Sequence, residues 1–134
     1  LEPEAGTATV TTAYTPSYAA PEQLAGGELT TATDVYGLAS LLHRLLLGQP
    51  PVRGPGGECS DPARLADALA APAEAVPDRA ALRRALRGDL GWILRKALAA
   101  EPARRYASAA EFGADLRAWD EGRPVAARQG GQRY

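Results

Sequence analysis

The sequence predicts a mainly α-helical domain, and three observations carry that expectation. Residues 38–47 are dominated by leucine between threonine caps and a glycine, "DLGWILRKALAA" repeats its apolar residues at helical spacing, and Ser108-Ala-Ala-Glu111 is a capping box. No alternating pattern competes for strands, and no repeat at solenoid periods is present.

Residues 1–15 mix Glu2, Pro3, Glu4 and Gly6 with threonines and show no sustained period, so they read as an exposed loop. Leu24 to Gly27 is a short helical turn closed by glycines. Thr30, Thr31 and Thr33 then offer N-caps for a long helix ending at Gly48, before Pro50-Pro51. Its Val35, Leu38, Ala39, Leu41, Leu42 and Leu45 to Leu47 wrap more than one face, which predicts an interior helix, the central post of the fold. Residues 52–59 form a Gly/Pro loop. Ser60-Asp61-Pro62 caps a helix running through about Ala71, with proline at its first position. After a loop at residues 72–77, Asp78 caps "RAALRRALRG". From Asp89 onward, Leu90, Ile93, Leu94, Ala97 and Leu98 share a stripe that Glu101-Pro102 ends. The last predicted helix opens at Ser108 and carries Phe112, Leu116 and Trp119 to Gly122 and Pro124, leaving residues 125–134 as a linker or tail.

Composition removes several function classes. Fifteen Lys+Arg against sixteen Asp+Glu give a formal net charge of -1, so no global footprint for nucleic acid or an anionic membrane exists. One cysteine, Cys59, excludes an internal disulfide framework and fits a reducing, cytoplasmic setting, with the thiol inert in its loop. The leucine-rich run is broken by Ser40, His43 and Arg44 and falls short of a membrane span. With no methionine, Leu1 is not a translation start, and the chain reads as an internal segment lacking something upstream. The sole histidine, His43, has no ligand cluster around it and is expected to be solvent-facing or satisfied within its helix; no metal site is assigned. Arg79, Arg83, Arg84 and Arg87 form a basic stripe that reads as a solvated helix face. Gly54-Pro-Gly56-Gly57 follows no strand and is a loop, not a phosphate cradle.

Three blocks, in order, carry a family resemblance. Thr15-Pro16-Ser17-Tyr18-Ala-Ala-Pro21-Glu22 resembles the T-P-x-Y-x-A-P-E run that closes the activation segment of serine/threonine protein kinases. Asp34-Val-Tyr36-Gly37 resembles the D-x-W-x-x-G entry to the family's F helix, with Tyr36 in place of tryptophan and the glycine two residues early. "KALAAEPARRYASAAEF" resembles the K-x-L-x-x-D-P-x-x-R-x-x-S-A-x-E-L block near the family's C-terminus. With "RGDL" and "GRPVAAR", the chain is similar to bacterial Hanks-type kinases over residues 1–128.

The resemblance implies the helical C-terminal lobe of a protein kinase: residues 1–124 as part of the kinase domain, with an activation segment at 1–22 and a helical lobe at 23–122. It implies a latch in which Glu22 meets Arg105, or failing that Arg104, with Asp34 holding the backbone of a catalytic loop that this chain lacks. It implies a substrate-binding platform of Thr15, Pro16, Ser17 and Tyr18, and an activation loop in which Thr7, Thr9, Thr11 and Thr12 are phosphorylation candidates. Tyr14 replaces the family's usual glycine. On the residues alone, without the resemblance, Glu22 and the arginines read as solvated surface charges, Asp34 as a favourable first-turn acid, and the threonines as a polar linker.

The intact kinase would use ATP and Mg2+ and act on serine or threonine of protein substrates, in company with the N-lobe and catalytic loop. This segment is expected to bind neither ATP nor metal, since it has no asparagine, no H-R-D, no D-F-G and one lysine, Lys96, in a late helix. The rival reading is a non-catalytic helical interaction module, a degenerate kinase remnant serving as an adaptor. H-R-D and D-F-G encoded upstream would favour the kinase; a stop codon or an unrelated domain would favour the adaptor.

Overall fold

A computed structural model describes residues 18–54, 59–68 and 79–131. These form helices α1 (Pro21–Leu24), α2 (Thr31–Leu47), α3 (Pro62–Ala68), α4 (Arg79–Arg87), α5 (Asp89–Ala97), α6 (Ala109–Asp120) and α7 (Ala126–Gly131), with a 3-10 turn at Pro102–Arg104. Among the described residues there is no strand, only an isolated antiparallel bridge between Arg53 and Cys59. The mainly α-helical class expected from the sequence is the class observed.

Local chemistry fixes the helix ends. Thr30 caps α2 by accepting from the Ala32 N–H at 3.2 Å, while Thr33 Oγ1 accepts from the Thr30 N–H at 3.0 Å. Gly48, at φ 83°, closes α2 in the left-handed conformation that glycine adopts without steric cost. The Asp61 carboxylate caps α3 through the Ala63 N–H at 3.0 Å, with Pro62 following it. Ser108 caps α6 through the Glu111 N–H at 3.2 Å. The Glu111 side chain reaches back one residue past the cap, to the Ala107 N–H at 3.4 Å.

Helix α5 is the hub, packing against α2, α3, α4, α6 and α7. Its Leu90, Ile93, Leu94 and Ala97 are buried against Val35, Tyr36, Leu86, Tyr106 and Phe112. Each such leucine or isoleucine removed from water contributes roughly 1.5–3 kcal/mol. The α4–α5 junction is so close that a Cβ on Gly91 would run into the Leu86 backbone carbonyl, so only glycine fits there.

Three expectations are corrected. Helix α2, expected as an interior post, buries one face through Val35, Tyr36, Ala39, Ser40, His43 and Leu47, but Leu38, Leu41 and Leu45 lie 46%, 50% and 66% exposed, because no described residue covers them. In α6 the buried positions are Phe112, Asp115 and Ala118, while Trp119 is exposed. The presumed tail at residues 125–134 contains α7, which packs on α5, with Val125 and Ala127 buried. A buried acid holds it: Asp115 accepts from the Ala126 and Ala127 N–H groups at 2.7 and 2.9 Å and from the Tyr106 hydroxyl at 2.6 Å.

Candidate functional site

The described site begins at Tyr18 and runs into α1. Pro21 occupies the first helical position, and the Ala20 N–H donates to Gln23 Oε1 at 2.8 Å, which together turn the chain so that Glu22 points inward. There it meets Arg105, which leaves the 3-10 turn in an extended conformation.

Arg105 uses every N–H it carries. Nε donates to the Ala99 carbonyl at 2.8 Å; Nη1 donates to Glu22 Oε2 at 2.7 Å and the Ala32 carbonyl at 3.1 Å; Nη2 donates to Glu22 Oε1 at 2.8 Å and the Ala100 carbonyl at 3.2 Å. Ala99 and Ala100 follow the end of α5, where carbonyls lack helical partners, so one guanidinium satisfies them and grips the carboxylate bidentately. The Arg105 side chain is wholly buried, and that of Glu22 is 11% exposed. Thr33 Oγ1 adds a donated bond to Glu22 Oε2 at 2.7 Å. Burial alone would raise the Glu22 pKa, but the hydrogen bonds from Arg105 and Thr33 outweigh it and lower the value from 4.5 to about 2. Arg104, by contrast, is an exposed partner of Glu101 at 3.0 Å.

Two further arginines hold the same stretch. Arg44 Nη1, from the last turn of α2, donates to the Tyr18 hydroxyl at 2.7 Å, and Arg53 Nη1 donates to the Ala19 carbonyl. Tyr36 lies between Arg53 and Arg105, whose guanidinium carbons stand 5.7 and 4.9 Å from its ring centroid, and its hydroxyl sits 3.2 Å from Cys59 Sγ. Burial, followed by the Cys59 contact, pushes the Tyr36 hydroxyl pKa up. Residues 18–22 are thus pinned from α2, from the loop after it and from the turn before α6.

An open groove of about 570 Å³ lies beside this stretch, lined by Tyr18, Gln23, Thr33, Asp34, Gly37, Leu38 and Ala109. Asp34 is exposed on its wall, and the structure does not join it to Glu22 and Arg105. Thr7, Thr9, Thr11, Thr12, Thr15, Pro16 and Ser17 lie outside the described residues. His43 is buried, its Nδ1 2.7 Å from the Gln49 carbonyl, and burial lowers its pKa from 6.5. No group of three or more His, Cys, Asp or Glu that could hold a metal exists among the described residues. Nor is any described helix long and apolar enough to cross a membrane.

Sequence reasoning missed Thr33 as a partner of Glu22, Arg44 and Arg53 as clamps, and Asp115 as the anchor of α7. Only Asp115 carried a signal: an acid on the apolar stripe of α6, at helical spacing from Phe112 and Ala118.

No protein-family model matches the chain. Among curated proteins it is similar to serine/threonine-protein kinase PknB of Mycobacterium tuberculosis, 34% identical over 110 residues, which is 82% of this chain and 16% of PknB. Kinase PknD of the same organism is 34% identical over 106 residues, 79% of this chain and 15% of PknD. Kinase PknF is 36% identical over 111 residues, 83% of this chain and 22% of PknF. The chain therefore spans about a fifth or less of the length of these relatives.

Proposed function

The chain is related, as a helical segment, to the bacterial Hanks-type serine/threonine protein kinases, and we propose that it supplies the activation loop, substrate platform and helical lobe of such an enzyme. In the intact cytoplasmic protein, ATP and Mg2+ provide the phosphoryl group that passes to serine or threonine of a protein substrate. The residues of this segment do not fit that cofactor: the sequence has no asparagine, no H-R-D and no D-F-G. Its part is to hold the acceptor peptide.

The observation that carries this reading is the buried, bidentate Glu22–Arg105 pair, in which Glu22 ends a stretch whose sequence resembles the close of a kinase activation segment. A substrate wall must not yield when a peptide presses on it, because misplacement by an ångström costs heavily in phosphoryl transfer. Residues 18–22, clamped at Tyr18, Ala19 and Glu22, are held to the helical lobe, and Thr15, Pro16 and Ser17 directly precede them in sequence. Thr15 orients the catalytic aspartate supplied by the rest of the domain, Pro16 to Tyr18 form the wall beside the acceptor, and Asp34 holds the catalytic loop. Thr7, Thr9, Thr11 and Thr12 take the regulatory phosphate.

The test is phosphate transfer from labelled ATP to a generic protein substrate, measured for the intact protein and for residues 1–134 alone. Transfer by the intact protein and none by the segment is expected. Absence of transfer by the intact protein, or tight ATP binding by the isolated segment, overturns the reading.

A further inference from the structure

We propose that Arg44 is a specificity residue that selects protein substrates carrying aspartate or glutamate next to the phosphoacceptor; this rests on the reading of Thr15 to Tyr18 as the substrate platform. Arg44 is exposed on α2, and its one partner among the described residues is the Tyr18 hydroxyl, at 2.7 Å. A guanidinium has five N–H groups, so one bond to a neutral hydroxyl fixes its place without neutralising its charge or exhausting its donors. No carboxylate among the described residues lies within ion-pair distance of it, in contrast to Arg83, Arg87, Arg95, Arg104, Arg105, Arg123 and Arg128. The only acid on α2, Asp34, is about 15 Å away along the axis, beyond a Debye length at physiological salt.

The placement matters as much as the charge. Tyr18 ends the platform, lines the open groove and carries the cation on its hydroxyl. A peptide lying in that groove therefore meets, at one edge, the Tyr18 hydroxyl that carries the Arg44 fork, with the exposed Leu38 on the wall and Asp34 about 15 Å from the fork along α2. A carboxylate side chain matches the fork in shape and charge, whereas lysine or arginine at the same place is repelled.

The experiment compares kcat/KM of the intact enzyme on serine or threonine peptides differing only in flanking aspartate, alanine or arginine. An acidic flank should be favoured over alanine by about three- to tenfold, an effect that weakens with salt as expected of a solvent-accessible ion pair. Arg44→Gln should bring that ratio close to unity, and Arg44→Glu should reverse it in favour of arginine. Tyr18→Phe, which removes only the anchoring hydroxyl, should leave an intermediate ratio. Circular dichroism checks each variant, and if Arg44→Glu does not fold, Arg44→Gln decides. Peptide phosphorylation with no acidic preference, or a preference unchanged by Arg44 substitution, overturns the proposal while leaving the kinase reading intact. Failure of the wild-type enzyme to phosphorylate any peptide removes both.

Discussion

Arg105 grips both carboxylate oxygens of Glu22, at 2.7 and 2.8 Å, across a separation of 83 residues. The contact ties the first turn of α1 to the turn that follows α5. It is a structural cross-link of opposite charges, and its strength comes from completeness, since every guanidinium N–H has an acceptor and the carboxylate has a third donor in Thr33.

Removing either partner leaves the other charge buried without compensation. Glu22→Ala or Arg105→Ala should each destabilise the intact protein by about 3–5 kcal/mol in urea denaturation, and the double variant should lose much less than the sum. Arg105→Lys keeps the charge but not the planar fork, and should fall between. Arg104→Ala, at an exposed site, should stay within about 0.5 kcal/mol. Equal effects at Arg104 and Arg105 would contradict this account.

The same pair sets an acid limit. Because the folded-state pKa of Glu22 is lowered to about 2 from 4.5, its contribution is fully present above 4.5 and is lost as pH falls from there toward 2. His43 acts in a separate window: burial lowers its pKa, so the unfolded chain takes up a proton that the folded chain resists, and stability begins to fall as pH drops below 6.5. Melting temperatures between pH 7 and 3 should show both losses. Glu22→Gln should remove the lower one, and a His43→Gln variant the upper.

On the kinase reading proposed above, the intact protein should carry phosphate on one or more of Thr7, Thr9, Thr11 and Thr12, where about −1.5 to −2 of added charge can pair with an arginine. Mass spectrometry of the active protein checks this. Phosphate confined elsewhere, or full activity after replacing all four by alanine, would make the stretch a linker.

Helices declare themselves locally, and so much of the fold is legible in the sequence. Thr30 and Ser108 cap, Gly48 terminates, and the stripe from Leu90 to Leu98 has the right period. What is not local is harder to read. No periodicity links Glu22 to Arg105; only the family resemblance points there. Nothing in the sequence separates Arg44 and Arg53, which clamp the loop, from Arg84 and Arg87 on the exposed face of α4, because an arginine's partner is chosen by tertiary packing. The leucines of α2 likewise record how apolar the helix is, but not which of its faces another segment covers.

The anchor of α7 shows how one side chain decides between tail and helix. Residues 125–134 begin with apolar Val125 but offer little else to bury, and a helix of six residues does not hold itself in water. Asp115 supplies what is missing: its carboxylate accepts the first two N–H groups of α7, which have no helical partner, and is itself oriented by the Tyr106 hydroxyl. The negative charge also complements the positive end of the helix. Asp115→Asn keeps the shape but halves the accepting capacity, because the amide nitrogen cannot accept, while Asp115→Ala leaves both N–H groups and the Tyr106 hydroxyl unsatisfied. The asparagine variant should cost about 1–2 kcal/mol and the alanine variant more, on the scale of several lost hydrogen bonds to a charged group. Hydrogen exchange separates this from general destabilisation. Protection should collapse first at the amides of Ala126 and Ala127, with those of α5 retained, since α5 also packs against α2, α3, α4 and α6; simultaneous loss in both helices would show that α7 belongs to the core rather than being strapped to it by Asp115.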